Sequence, residues 1–171
     1  MKTAYLSLGS NLGDRLGNLV AAVRLLGAPG PLGAPPGRIQ IVQTSSVWET
    51  LPQGKTDQPD FLNMAIAVQT DLTPAELLEH ALAVEAALGR VRLERWGPRL
   101  IDIDLCWYDD LSMKTDRLEL PHPRMAERAF VLVPLLELRP DPQWQNWLAQ
   151  LPDQGLRPFL AGSDFHLVRP D

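Results

Sequence analysis

A chain of 171 residues with 45% hydrophobic content is long enough for one domain around a single core, and its formal net charge of -5 excludes general binding to nucleic acid or anionic membranes. Cys106 is its only cysteine, which excludes an intrachain disulfide and suits a reducing compartment. The N-terminus has neither the apolar stretch of a secretory signal nor the arginine- and serine-rich character of a transit peptide. No run is long enough to span a bilayer, so a cytoplasmic location is expected.

Residues 3–8 alternate and predict a first strand, with Ala4, Leu6 and Leu8 on one face and Tyr5 and Ser7 on the other. Gly9-Ser10-Asn11-Leu12-Gly13 breaks the strand. Asn11 or Asp14 can then cap a helix whose apolar stripe is Leu16, Leu19, Val20, Val23 and Leu26. Residues 27–37, dense in glycine and proline, are expected to be an irregular mobile loop. Residues 38–50 read as one long strand, with Ile39 and Ile41 sharing a face, and 51–59 as a polar loop. Residues 60–70 read as a strand with Leu62, Met64, Ile66 and Val68 toward the core and Phe61 and Asn63 opposite. Thr73-Pro74-Ala75-Glu76 is a capping box with proline at the first helical position. The helix it starts runs through Leu77, Leu78, Ala81, Leu82, Glu85 and Leu88, and Gly89 stops it.

Gly97-Pro98 then turns the chain into Leu100-Ile101-Asp102-Ile103-Asp104-Leu105-Cys106, which alternates cleanly. Asp102, Asp104 and Cys106 share one face of that strand while Ile101, Ile103 and Leu105 share the other. Beyond it, residues 108–114 read as a turn and 117–120 as a short returning strand. Pro121-His122-Pro123 leads into a helical run through Met125, Phe130, Leu132, Leu135 and Leu136, interrupted at Pro134. Trp144, Trp147, Leu148 and Leu151 suggest a short last helix. Residues 152–171 have no period and read as a tail draped on the surface or partly disordered, behind a domain of residues 1–151. The order of strands and helices is the split-βαβ one. It predicts an α+β, ferredoxin-like fold, an antiparallel sheet with helices packed on one face. His80, on a helix, and His166, in the tail, have no evident partners.

The chemistry concentrates around the aspartate strand. Two carboxylates side by side repel and raise each other's pKa unless a cation lies between them, and aspartate is a poor strand former. A hard divalent ion resolves the repulsion, and with a phosphorylated substrate it would be magnesium. Just upstream, Arg90, Arg92, Arg95 and Arg99 supply guanidinium forks that match phosphate oxygens. Carboxylates for metal beside an arginine cluster describe a polyphosphate site.

Six segments in order carry a resemblance. They are Gly9-Ser10-Asn11-Leu12-Gly13, Asp57-Gln58-Pro59-Asp60-Phe61-Leu62-Asn63, Gly89-Arg90-Val91-Arg92, Arg95-Trp96-Gly97-Pro98-Arg99 with Asp102-Ile103-Asp104, Leu120-Pro121-His122-Pro123 and Arg128-Ala129-Phe130. Over residues 5–140 the chain resembles the hydroxymethyldihydropterin pyrophosphokinases of folate biosynthesis. That family transfers the β,γ-pyrophosphoryl group of ATP to the hydroxymethyl oxygen of a reduced pterin and releases AMP. The resemblance implies two magnesium ions on Asp102 and Asp104, and a mobile loop carrying Arg90 and Arg92 that closes over ATP, with Trp96 and Arg99 at its far end. It implies catalytic roles for Arg90 and Arg99, and ATP contacts from Glu85, Arg92, Trp96, Arg117, His122 and Arg128. Glu85, on the inward side of its helix, could equally be a surface helix residue. Phe61 and Phe130 match the two aromatics that sandwich the pterin, and Asn63, Thr50, Leu51 and Gln53 match its polar edge. ATP and the pterin are the partners expected of a monomer. The rival readings are a non-catalytic nucleotide- or pterin-binding module of the same fold and a kinase that moves only the γ-phosphate.

Overall fold

The computed structural model describes residues 1–28, 39–52, 57–89 and 100–167. The loop expected over residues 27–37 therefore lies almost wholly outside the described residues, as do Gln53 and the arginine-rich segment 90–99. In chain order the elements are β1 (Lys2–Ser10), α1 (Arg15–Gly27), β2 (Ile39–Thr44), β3 (Val47–Thr50), β4 (Phe61–Thr70), α2 (Pro74–Ala87), β5 (Asp102–Tyr108), β6 (Met113–Lys114), β7 (Glu119–Leu120), α3 (Ala129–Leu138), α4 (Pro142–Ala149) and β8 (Arg157–Leu160).

Alternation along the central strands sorts side chains onto two faces, and both faces are covered. Ala4, Leu6 and Leu8 of β1, Leu62, Met64, Ile66 and Val68 of β4, and Ile103 and Leu105 of β5 pack against Leu19, Val20 and Leu26 of α1 and Leu77, Ala81 and Val84 of α2. Each fully buried valine, leucine, isoleucine or methionine among them contributes roughly 1.5–3 kcal/mol. The opposite face, with Tyr5, Ala65, Ala67 and Cys106, packs against Val131, Leu132 and Leu135 of α3 and Trp144 of α4. The α1 and α2 layer is the one the split-βαβ order predicts; α3 and α4 add a second layer where the expectation placed helices on one face only. Small Ala65 and Ala67 let α3 approach β4, and Glu137 of α3 accepts hydrogen bonds from the Ser46 amide at 3.1 Å and Trp48 Nε1 at 2.8 Å.

Six strands form the antiparallel sheet, in the order β5-β1-β4-β3-β8, with β2 also paired to β4. Both predicted helix starts are present. Asp14 accepts from the Gly17 amide, and Thr73 and Glu76 form a reciprocal capping box. Other expectations need correction. Residues 39–50 make two strands instead of one long one, because the chain bends at Ser45, whose buried hydroxyl accepts from the Ala65 amide at 2.8 Å. Pro134 lies inside α3 without interrupting it; the helix runs on to Leu138, held by the burial of Val131, Leu132 and Leu135. In the segment read as an aperiodic tail, Arg157–Leu160 pairs with β3 and Phe165 is buried in the α1 and α2 layer. His80 also has a partner: it is buried, and its Nε2 donates to the Leu26 carbonyl at 3.0 Å at the end of α1.

Candidate active site

Antiparallel pairing puts directly opposed residues on the same face, so the register alone assembles a site. Asp102 pairs with Gly9, Gly9 with Asn63, and Asn63 with Trp48, which makes one row across four strands. Beside it, Asp104 pairs with Ser7 and Phe61 with Thr50. Asp102 and Asp104 are half-buried, and Ile101, Ile103 and Leu105 fill the core behind them as the alternation requires. Two strand spacings, roughly 10 Å, separate the Asp102 position from the Asn63 position.

The row is graded from charge to flat polar surface. Gly9, in its middle, has no side chain, and the space a Cβ would take is filled by neighbours. Such an atom would lie 2.9 Å from Asn63 Oδ1 and 3.7 Å from the Phe61 ring. Asn63 is buried, and its Nδ2 donates to the Thr50 hydroxyl at 2.9 Å, which orients the amide. Leu51, just beyond β3, is exposed.

The segment after β7 brings the remaining described residues in. The His122 amide donates to the Cys106 carbonyl at 2.9 Å, which ties this turn to β5. The Arg124 amide donates to His122 Nδ1 at 3.2 Å, so the neutral ring carries its proton on Nε2. Burial, with Arg128 and Arg124 nearby, lowers the His122 pKa to about 4. Arg128 ends the turn, its guanidinium 5.6 Å from the Phe130 ring, and Phe130 in the first turn of α3 packs toward the same face of the sheet as Phe61. Cys106, although next to Asp104, is inert packing: burial raises its thiol pKa far from the thiolate range.

Two further predicted contacts lie off the row. Glu85 is buried, not a surface helix residue; its carboxylate accepts from the Ile103 amide at 2.8 Å and fixes the outer edge of β5 between the two aspartates. Sequence reasoning found this residue but not this task, because the bond depends on α2 lying along β5. Arg117 lies on the α1 and α2 side of the sheet. It pairs with Glu79 at 2.5 Å and lines a groove of about 330 Å³ with Ala75, Leu78, Met113 and Leu118. Arg90, Arg92, Trp96, Arg99 and Gln53 lie outside the described residues. Trp48 and Gly9 complete the row without being among the predicted contacts; the Gly9–Gly13 motif contains Gly9, but only the strand registers set it between Asn63 and Asp102.

The donor set can be tested against a metal. Among the described residues no group of three or more histidine, cysteine or acidic side chains clusters as a complete cage. Two carboxylates on one strand face fit a magnesium ion, which takes one or two carboxylates and completes its shell with water and substrate phosphates.

The family model described as 7,8-dihydro-6-hydroxymethylpterin-pyrophosphokinase (HPPK) matches residues 5–140. A 2-amino-4-hydroxy-6-hydroxymethyldihydropteridine pyrophosphokinase of Methylorubrum extorquens is 53% identical over 141 residues, covering 82% of this chain and 85% of that protein. Its namesake in Bacillus subtilis is 42% identical over 154 residues, covering 90% and 88%. The fold is similar to the crystal structure of Plasmodium falciparum HPPK-DHPS with pteroate, at a TM-score of 0.59 and 16% identity, over 79% of this chain and 38% of that one. With a family match over most of its length and relatives this similar, the chain belongs to the 7,8-dihydro-6-hydroxymethylpterin-pyrophosphokinase family.

Proposed function

We propose that this chain transfers pyrophosphate from ATP to 6-hydroxymethyl-7,8-dihydropterin along the Asp102–Gly9–Asn63 row, in folate biosynthesis. The hydroxymethyl oxygen bonds to the β-phosphorus, the bond from that phosphorus to the α,β-bridging oxygen breaks, AMP leaves, and the hydroxyl proton is lost. The row is the single observation that carries this assignment of places. It holds carboxylates for the phosphate end, a bare glycine floor, and an oriented amide with a flanking aromatic for a flat heterocycle.

Asp102 and Asp104 would hold two Mg²⁺ ions, which when bound neutralise charge on the phosphate oxygens and ease loss of the hydroxyl proton. Phe61 and Phe130 stack on the two faces of the pterin, while Asn63, with Thr50 behind it and Leu51 and Gln53 beside it, reads its polar edge. His122 donates from Nε2 to phosphate oxygen, and Arg128 adds charge next to it. Arg90, Arg92, Trp96 and Arg99 complete the ATP site by the resemblance of their motifs, with Arg90 and Arg99 gripping the oxygens on which charge develops. Glu85 supports this end by fixing β5. The nucleoside end of ATP extends toward the groove at Arg117, whose largely apolar lining suits a base. Residues 1–151 carry these parts, and a cytoplasmic monomer is the form we assign.

Product analysis tests the reaction. With ATP and the reduced pterin, chromatography should show AMP and pterin diphosphate in equal amounts. ADP with a pterin monophosphate would make it a γ-phosphate kinase, and no turnover at all would leave a binding module.

A further inference from the structure

Gln154 lies beyond the residues matched by the family model and outside the six motif segments, yet its side chain holds the backbone on either side of Arg128. Its Oε1 accepts from the Ala129 amide at 2.8 Å, and its Nε2 donates to the Glu127 carbonyl at 3.1 Å. The two bonds bracket Arg128. Arg128 is the N-cap of α3 and supplies no side-chain capping bond, so the first helical amide takes its acceptor from a residue 25 positions away. Three residues further on, β8 pairs with β3, and Arg157 reaches Glu49 at 3.0 Å and Asp60 at 2.8 Å. Glu49 and Asp60 immediately precede Thr50 and Phe61. One short segment thus holds the backbone on either side of Arg128 and, through Glu49 (which also binds Arg15 of α1 at 2.7 Å) and Asp60, the chain positions next to Thr50 and Phe61.

We propose that residues 154–157 form a clasp that sets the spacing of the two halves of the pterin site, with Gln154 as a positioning residue. The proposal rests on the assignment of Phe61 and Phe130 to the pterin. A surface ion pair such as Arg157 with Asp60 contributes little alone, so the carboxamide carries most of the effect. Where the capped turn holds the ligand, losing the cap should read as a loss of about five- to thirtyfold in affinity.

The test compares Gln154→Ala, Gln154→Glu and Phe130→Ala in the full chain, with steady-state kinetics, pterin titration and thermal unfolding. Gln154→Ala should raise the pterin Kd about five- to thirtyfold, with a smaller change in kcat. Gln154→Glu keeps the acceptor for the Ala129 amide but turns a carboxylate oxygen toward the Glu127 carbonyl, so it should recover only part of the affinity lost in Gln154→Ala. If Gln154→Ala lowers Tm but leaves pterin Kd and KM unchanged, the residue is structural only and the clasp is wrong. If Phe130→Ala leaves pterin affinity intact, the site assignment falls and the clasp with it. Loss in Phe130→Ala but not in Gln154→Ala overturns the clasp alone.

Discussion

Gly9 has a floor role that no other residue type could fill without moving a neighbour. A Cβ at 2.9 Å from Asn63 Oδ1 must displace an amide that Thr50 already holds, and losing that orientation costs about 1–2 kcal/mol. Gly9→Ala should therefore weaken pterin binding about tenfold, and ATP binding much less, by calorimetric titration. Equal weakening of both ligands would place the damage in the fold. His122 gives a second test at this scale. Its folded pKa of about 4 lies below the unfolded value near 6.5, so between those values the unfolded chain binds the extra proton. Stability from this residue is complete above about pH 6.5 and is lost as pH falls toward 4. Replacing it with asparagine should flatten that part of the stability profile. NMR should show the His122 ring neutral at pH 6; a ring titrating near 6.5 would contradict the burial argument.

Asp141 shows how much one side chain can organise at the level of elements. It is buried at the N-cap of α4, accepts from the Gln143 and Trp144 amides at 2.9 and 3.1 Å, and pairs with Arg139 at 3.1 Å. Arg139 in turn lies 5.1–5.9 Å from the rings of Tyr5, Trp107 and Trp144. Asp141→Ala should cost about 1–2 kcal/mol in denaturant unfolding while single-turnover chemistry stays near wild type, since this cluster does not belong to the row. The elements that were legible in the sequence have their cause within a few residues. The Thr73 capping box, the stripe of α1 and the alternation of β5 are all local. Those that were not legible depend on distant partners. Ser45 bends the chain because Ala65 is there to bond it, Pro134 is tolerated because the sheet buries its helix, and β8 forms because β3 offers an edge. For the same reason His80 looked solitary until α1 ended against it.

On the scale of the molecule, one antiparallel sheet separates two kinds of work. The α1 and α2 face is a packed core, and the opposite face is core where α3 and α4 cover it and site where they stop. The candidate residues were readable as motifs, but their meeting depends on the β1–β4 and β1–β5 registers, which place Asp102, Gly9 and Asn63 in line. The carboxylate end of that line is where metal and phosphate are assigned. The most direct measurement is the single-turnover yield of AMP from Asp102→Ala and Asp104→Ala at saturating magnesium, alongside thermal unfolding. The half-buried aspartates point away from the core, so both variants should unfold within a few degrees of wild type while AMP formation falls at least about a thousandfold. Two folded variants that still form AMP near the wild-type rate would remove the metal-phosphate site from β5.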